Sequence, residues 1–368
     1  MTKGFNNVQI KRHEAAHRQI ARAIRERLQR GEIKPGVRLP STEELAKMWN
    51  SSYFTVHTAL KALVKEGLLE RLHGSGTYVR EQRATFASAG IYLGGAVKDH
   101  AAFIRHVCEF LEEKLTRDHV AVHTFVESRP RSEYGKVLPA LQRAVDLREI
   151  QAVISPANHG PQVTALNRLP VPLAMLTTAK LPCRVGYDTQ SLFRGAFSRL
   201  RAHGCRTVGM ITHIRSKTDP HSGWETAELW EDFEQELTTA GLTTRDEWLL
   251  MNRKRNSLSA VPRVGYEAFM ELWRRPEKPD GLVVFPDGLV PGVILAMLQL
   301  GVRPPDGINC VFHRNKHFDI LCPFHITWAL SDEEKAADSL IEMVQMQFRG
   351  DKISEVKLPY TFAENKGV

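Results

Sequence analysis

Between residues 15 and 80 the spacing of apolar positions changes repeatedly, and each change marks an element. In AAHRQIARAIRERLQR, residues 15–30, Ile20, Ile24 and Leu28 recur every fourth position with arginines on the other faces, which predicts an amphipathic helix. Gly31 and the two prolines of GEIKPGVRLP stop it. A second helix opens after Pro40. Ser41 stands at its N-cap, Glu44 three residues later completes a capping box, and Leu45, Met48 and Trp49 share the apolar face. After the polar turn Asn50-Ser51-Ser52, Ser52 caps a third helix from Tyr53 to Glu66. It turns Val56, Leu60, Leu63 and Val64 inward and sets Tyr53, His57 and Lys61 on an outer stripe. Beyond Gly67 the period falls to two in LLERL and TYVRE, on either side of HGSG, as a hairpin requires. This order of elements predicts a winged helix-turn-helix over residues 14–80, with its third helix in the major groove of DNA.

Residues 81–89 are small and polar and read as a linker. From residue 90 to 368 short apolar strands (AGIYLGG, VAVHTFVE, IQAVISPA, VPLAMLTT, TVGMITH, GLVVFPD) alternate with amphipathic helical stretches such as AAFIRHVCEFLEEKL and VPGVILAMLQLG. Such alternation predicts parallel sheets with helices on both faces. The span exceeds a single such core, so two lobes are expected. The fold class is therefore an α+β winged helix-turn-helix followed by a two-lobed α/β domain.

Charge sharpens the division. Of the 50 Lys and Arg and 42 Asp and Glu, residues 1–83 hold 16 basic and 8 acidic side chains, so the whole surplus of +8 lies there and the remainder is neutral. A small basic module joined to a large neutral one points to a nucleic-acid reader attached to something else. The 5 cysteines are odd in number, scattered and never spaced CxxC, which argues against a disulfide framework or zinc ribbon and suits a reducing compartment. With no long apolar run and no signal-peptide pattern in MTKGFNNVQIKRHE, a soluble cytoplasmic protein without membrane contact is expected.

The run GEIKPGVRLPSTEELAKMWNSSYFTVHTALKALVKEGLLERLHGSGTYV resembles the DNA-binding domain of the GntR family. The resemblance implies phosphate contacts from Ser41 and Thr42, base contacts from the third helix, and His73 and Gly74 at the tip of the wing, in or near the minor groove. The resulting set of DNA-contact candidates is Arg38, Ser41, Thr42, Ser52, Tyr53, Phe54, Thr55, His57, Lys61, His73 and Gly74. Two departures stand out. The family usually carries arginines where this chain has Tyr53 and His57, so guanine readout should weaken. Tyr53 and Phe54 can pack on thymine methyls or turn into the domain, and His57 can donate from either ring nitrogen.

The larger region resembles the ligand-binding domain of LacI-type repressors and periplasmic sugar-binding proteins. The likeness is carried in order by CRVGYDTQSLFRGAFSRLRAHGCRTVGMIT, WEDFEQELTTAGL, KPDGLVVFPDGLVPGVILAMLQLGVRPPDGINCVFHRN and PFHITWALSDEEKAADSLIEMVQMQFRG. It implies an effector between the lobes at the C-terminal ends of the strands, where open α/β sheets bind ligands on physical grounds as well. Strand-end candidates are Asp99, Asn158, Asp188, His213, Asp287 and Arg314, with Tyr92, Phe103 and Trp224 as stacking surfaces; His159 and Arg215 adjoin them. Asp188 and Asp287 fall at motif positions. Such a set suits a sugar, and also a nucleoside or an amino acid. An arginine common in sugar-responsive relatives is replaced by Leu229 or its neighbours.

The competing reading is an α/β enzyme acting on a small polar metabolite. The chain has no GxGxxG after the first strand, no G-x-S-x-G and no P-loop lysine; His313/His317 lacks the glutamate of HExxH, and His13-Glu14-Ala15-Ala16-His17, which spells that pattern, leads directly into the arginine-rich first helix of the DNA-binding module. No cofactor and no metal is therefore expected. The sequence reads as a non-enzymatic, ligand-responsive transcriptional regulator, a repressor, acting as a homodimer on a palindromic double-stranded operator.

Overall fold

The computed structural model describes residues 15–29, 32–33, 36–66, 68–72, 75–79, 86–95, 102–158, 160–212, 225–251 and 260–367. The chain forms two compact units, residues 1–85 and 86–368.

In the first unit, helix α1 (Ala16–Gln29) and helix α3 (Tyr53–Lys65) enclose a core with α2 (Thr42–Met48) and a hairpin of β1 (Leu69–Leu72) and β2 (Gly76–Val79). Ile20, Ile24, Leu45, Val56, Leu60 and Leu63 are fully buried, as their spacing requires. The capping box forms: Ser41 N–H donates to Glu44 Oε2 at 2.7 Å, and Glu44 N–H to Ser41 Oγ at 3.2 Å. Arg25 clamps Glu66 with bonds of 2.7 to 3.2 Å, tying α1 to the end of α3. Met48 departs from expectation. It is 36% exposed, because α2 turns only Leu45, Ala46 and the following Trp49 inward, and a seven-residue helix has room for a single buried turn.

The second unit starts earlier than residue 90. Phe86 is buried beside Phe348, and β3 (Ser88–Leu93) begins two residues after it, so the final residues assigned to the linker belong to this core. Residues 81–85 lie outside the described ones.

Lobe I is built on a fully parallel sheet of order β4-β3-β5-β6-β7-β13, comprising β4 (Ala121–Val126), β3, β5 (Ala152–Ala157), β6 (Leu173–Leu176), β7 (Arg184–Tyr187) and β13 (Val356–Leu358). Helices α4 (Ala102–Arg117), α5 (Pro139–Asp146) and α6 (Gly160–Leu166) cover it. Lobe II has the order β9-β8-β10-β11-β12-β14: β9 (Leu249–Met251), β8 (Val208–Thr212), β10 (Gly281–Phe285), β11 (Asn309–Asn315), β12 (His325–Ser331) and β14 (Thr361–Lys366). Its edge strand β14 runs antiparallel to β12. Helices α7 (Thr189–Ala202) and α8 (Glu225–Thr239) pack on one face, and α9 (Val261–Arg274) and α10 (Val290–Leu300) on the other.

The lobes exchange chain. Helix α11 (Glu333–Arg349) follows β12 of lobe II yet buries Ala336, Ala337, Leu340, Ile341 and Val344 in the core of lobe I. Three crossings result: at Asp188, at Asp332, and at Pro359-Tyr360 between β13 and β14.

Helices α9 and α10 touch backbone to backbone. A Cβ on Gly292 would run into the carbonyl of Pro262. Gly292→Ala is expected to lower the stability of the second unit by about 3 kcal/mol in urea titrations, since a backbone shift is the sole relief, and to leave the first unit's transition in place.

Candidate functional sites

The DNA-facing candidates gather at the start of α3. Ser52 Oγ accepts the Thr55 amide at 3.1 Å and pairs with Thr55 Oγ1 at 2.8 Å, so these two hydroxyls engage each other while they cap the helix. Phe54 is 77% exposed and Tyr53 53% exposed, which removes the reading in which they turn into the domain. Tyr53 and His57 stack at 5.9 Å, one turn apart, and Lys61 lies exposed one turn further on. His57 Nδ1 lies 3.3 Å from the Arg71 guanidinium on β1, a partner that the sequence reading missed. Strand alternation offered a clue: Arg71 follows the buried Leu69 by two and so shares its face.

Arg38 forms an isolated bridge to Tyr78 and lies over the wing, where a Cβ on Gly76 (φ +131°) would come within 2.8 Å of its Nε. Ser41 uses its oxygen as an acceptor, and that bond leaves its hydroxyl proton for an outside acceptor; Thr42 is the first residue of α2. His73 and Gly74 lie outside the described residues.

In the second unit the C-terminal edge of the lobe II sheet carries a closed ring of hydrogen bonds whose directions are fixed by chemistry. The Asp287 amide donates to His313 Nδ1 at 2.9 Å, so the ring proton of His313 sits on Nε2. That proton goes to Ser331 Oγ at 3.0 Å, Ser331 donates to Asn315 Oδ1 at 2.8 Å, and Asn315 Nδ2 returns to Asp287 Oδ2 at 2.8 Å. Burial depresses the His313 imidazole to about 3, so it is neutral, and its 3.8 Å approach to Asp287 Oδ1 is no ion pair. The Asp287 carboxyl is raised to about 6 by burial, with the Glu333 charge adding to the effect.

Tyr360, on the third crossing, lies in the field of both Asp287 and Asp188, and its hydroxyl is driven up by burial and by those two charges. Asp188 opens α7 without a side-chain capping bond. The crossings are stitched together: Tyr187 OH donates to the Asp332 carbonyl at 2.6 Å, Asp188 N–H to the Leu358 carbonyl at 2.9 Å, and Tyr360 N–H to Ser191 Oγ at 3.0 Å. Phe103 meets Tyr187 edge-on at 5.6 Å.

The structure thus gathers Asp188, Asp287 and Phe103 at the hinge, and adds His313, Asn315, Ser331, Tyr187 and Tyr360, which the sequence reading had not selected for the site. Other candidates go elsewhere. Arg314 extends to the opposite side of β11, pairing with Asp319 at 2.9 Å and lying over Trp328, as alternation along the strand demands. Tyr92 is buried in lobe I and donates to Glu127 at 3.0 Å, so its ring offers no open stacking face. Asn158 Nδ2 is held by Ser155 and by the Leu176 carbonyl. Asp99, His159, His213, Arg215 and Trp224 lie outside the described residues. Leu229 is buried in lobe II. Of the histidine pair noted above, His313 is held by the ring and His317 by Glu333 at 3.1 Å; among the described residues no cluster of three or more metal-ligating side chains occurs.

Residues 16–79 match the family described as "Bacterial regulatory proteins, gntR family", and residues 197–362 match the "Periplasmic binding protein-like domain". The chain joins a GntR-type DNA-binding domain to a periplasmic-binding-protein-like domain. It is 24% identical over 343 residues to the arabinose metabolism transcriptional repressor of Geobacillus stearothermophilus, covering 89% of this chain and 90% of that one. Against the mannosyl-D-glycerate transport/metabolism system repressor MngR of Escherichia coli it is 46% identical over 74 residues, which cover 20% of this chain and 31% of that protein. The fold of the larger domain is that of a LacI-type regulator from Bacillus cereus subsp. cytotoxis (TM-score 0.61, 12% identity, 77% of this chain and 99% of that one) and of the Escherichia coli repressor ascG (TM-score 0.60, 14% identity, 76% and 98%).

The raised Asp287 carboxyl has a measurable consequence. Unfolded, it releases its proton near 3.8; folded, it holds the proton up to about 6. The folded state therefore binds more protons in that window, so this group's contribution favours folding below about pH 4 and is lost as pH rises through 6. The stability difference between wild type and Asp287→Asn, from thermal melts between pH 4 and 7, is expected to shift toward wild type on acidification.

Proposed function

We propose that this GntR-type regulator is a sequence-specific repressor whose operator affinity is set by a small polar effector, a sugar, bound between the lobes at the hinge cluster. The observation that carries the reading is the coexistence of an outer stripe on α3, exposed Tyr53 and Lys61 with half-buried His57 between them and exposed Phe54 beside it, with an acid-and-aromatic cluster at the three lobe crossings, on a chain that aligns along most of its length with an arabinose repressor. Asp188 and Asp287 supply hydroxyl acceptors, and Phe103, Tyr187 and Tyr360 supply apolar ring faces. Effector binding closes the lobes, and a coupling of about 1 to 3 kcal/mol changes operator affinity roughly 5- to 150-fold.

The regulator works as a homodimer on a palindromic operator. Helix α10 supports this: Leu295 and Leu298, one turn apart, are 58% and 54% exposed, a strip that pairing of two copies would cover. Leu295→Glu with Leu298→Glu is expected to shift the mass in solution from dimer to monomer in light-scattering measurements and to weaken operator binding.

The enzyme reading meets a specific obstacle. Ser331, His313 and Asp287 have the composition of a nucleophilic triad, but His313 Nε2 already carries the proton and donates it toward Ser331, so it accepts none from that hydroxyl. Asp287 holds Asn315 rather than the imidazole.

Selection of bound duplexes from a random pool with the full chain, repeated with candidate sugars, tests the proposal. A defined palindrome whose recovery a sugar alters is expected, with affinity falling steeply with salt. No enrichment over the input pool would sink it. His57→Ala is expected to relax base preference more than it lowers affinity for non-specific DNA.

A further inference from the structure

We infer that Arg71, on the wing strand β1, is a specificity-determining residue that acts through His57, fixing the imidazole as a hydrogen-bond donor and thereby selecting an acceptor-bearing base edge. The inference rests on the DNA-reading role proposed above. A guanidinium can only donate, so the nitrogen it faces, His57 Nδ1 at 3.3 Å, must present its lone pair. The ring is then the Nε2–H tautomer, and the free nitrogen of the pair is a donor. Tyr53, stacked on the same ring at an interplanar angle of 23°, holds its plane and leaves its edge as the reading group.

An imidazole without such a partner exchanges tautomers and flips, so it reads donor and acceptor edges alike. Held by Arg71, it matches N7 of a purine, O6 of guanine or O4 of thymine, and is mismatched against the amino groups of cytosine N4 and adenine N6. The positive charge absent from the first two turns of α3, residues 53–60, thus returns from the neighbouring strand, where it orients a reader. Selectivity at one base position becomes a property of the packing of wing against helix, since Leu69, two residues earlier on the same strand, is buried in the domain core.

The test uses the full chain with its selected operator and four duplexes varied at the position that His57→Ala relaxes. Arg71→Met is expected to lose about tenfold discrimination against cytosine at that position, to match His57→Ala there, and to add little to it in the double variant. The 15N shifts of the His57 ring in free protein should report the Nε2–H tautomer in wild type and a tautomer mixture in Arg71→Met. If Arg71→Met instead weakens all four duplexes equally, lowers the salt slope by about one and adds fully to His57→Ala, Arg71 is a phosphate contact and the inference is overturned. An unchanged tautomer overturns it as well. Should wild type fail to discriminate among any duplexes, the DNA-reading role itself is wrong, an outcome distinct from either.

Discussion

Three passages of chain between the lobes are the constraint on which the larger domain depends. Each lobe is finished by a segment whose predecessor belongs to the other, so neither sheet can complete its core alone: α11 fills lobe I after β12 of lobe II, and β14 completes lobe II after β13 of lobe I. The passages converge where Tyr187 bonds to Asp332, Asp188 to Leu358 and Tyr360 to Ser191. A ligand bound there, as proposed, would touch both lobes and all three connections, so small differential contacts would bias the lobe angle.

The ring through Asp287, His313, Ser331 and Asn315 shows why that site is firm on one side. Each buried polar group in the ring meets a partner of the opposite kind, and the backbone amide of Asp287 sets the sense of the cycle. A buried network satisfied throughout specifies one arrangement, whereas a partly satisfied one would be costly. The raised Asp287 carboxyl reflects the cost of holding an acid in buried surroundings at the C-terminal edge of the lobe II sheet.

Much of the fold was legible because it rests on local rules. The Ser41–Glu44 box, the Ser52 cap and the buried stripe Val56, Leu60 and Leu63 follow from spacing alone and are found as expected. Asp188 and Asp287 were chosen as strand-end residues at the motif positions of the resemblance, and the structure places them at the start of α7 and just after β10. Arg314 was chosen on the same logic but points away, because the choice named a strand end without asking which face it served; His313 and Asn315 flank it on the face that matters. Tyr360 carried no local signal at all, as it sits on a crossing between two strands of different sheets.

By itself the sequence determined the two modules, the cap and apolar stripe of α3, the basic surplus of the first 83 residues and the alternation that makes parallel sheets. These depend on periodicity, capping and charge, which act over a few residues. Only the tertiary structure decided that Arg71 meets His57 across fourteen positions, that Ser331 closes a ring begun at Asp287, and that α11 belongs to the opposite lobe from the strand before it. Those pairings are set by how sheets and helices pack, and a hydrogen bond between residues far apart in sequence leaves no mark on the local pattern of either.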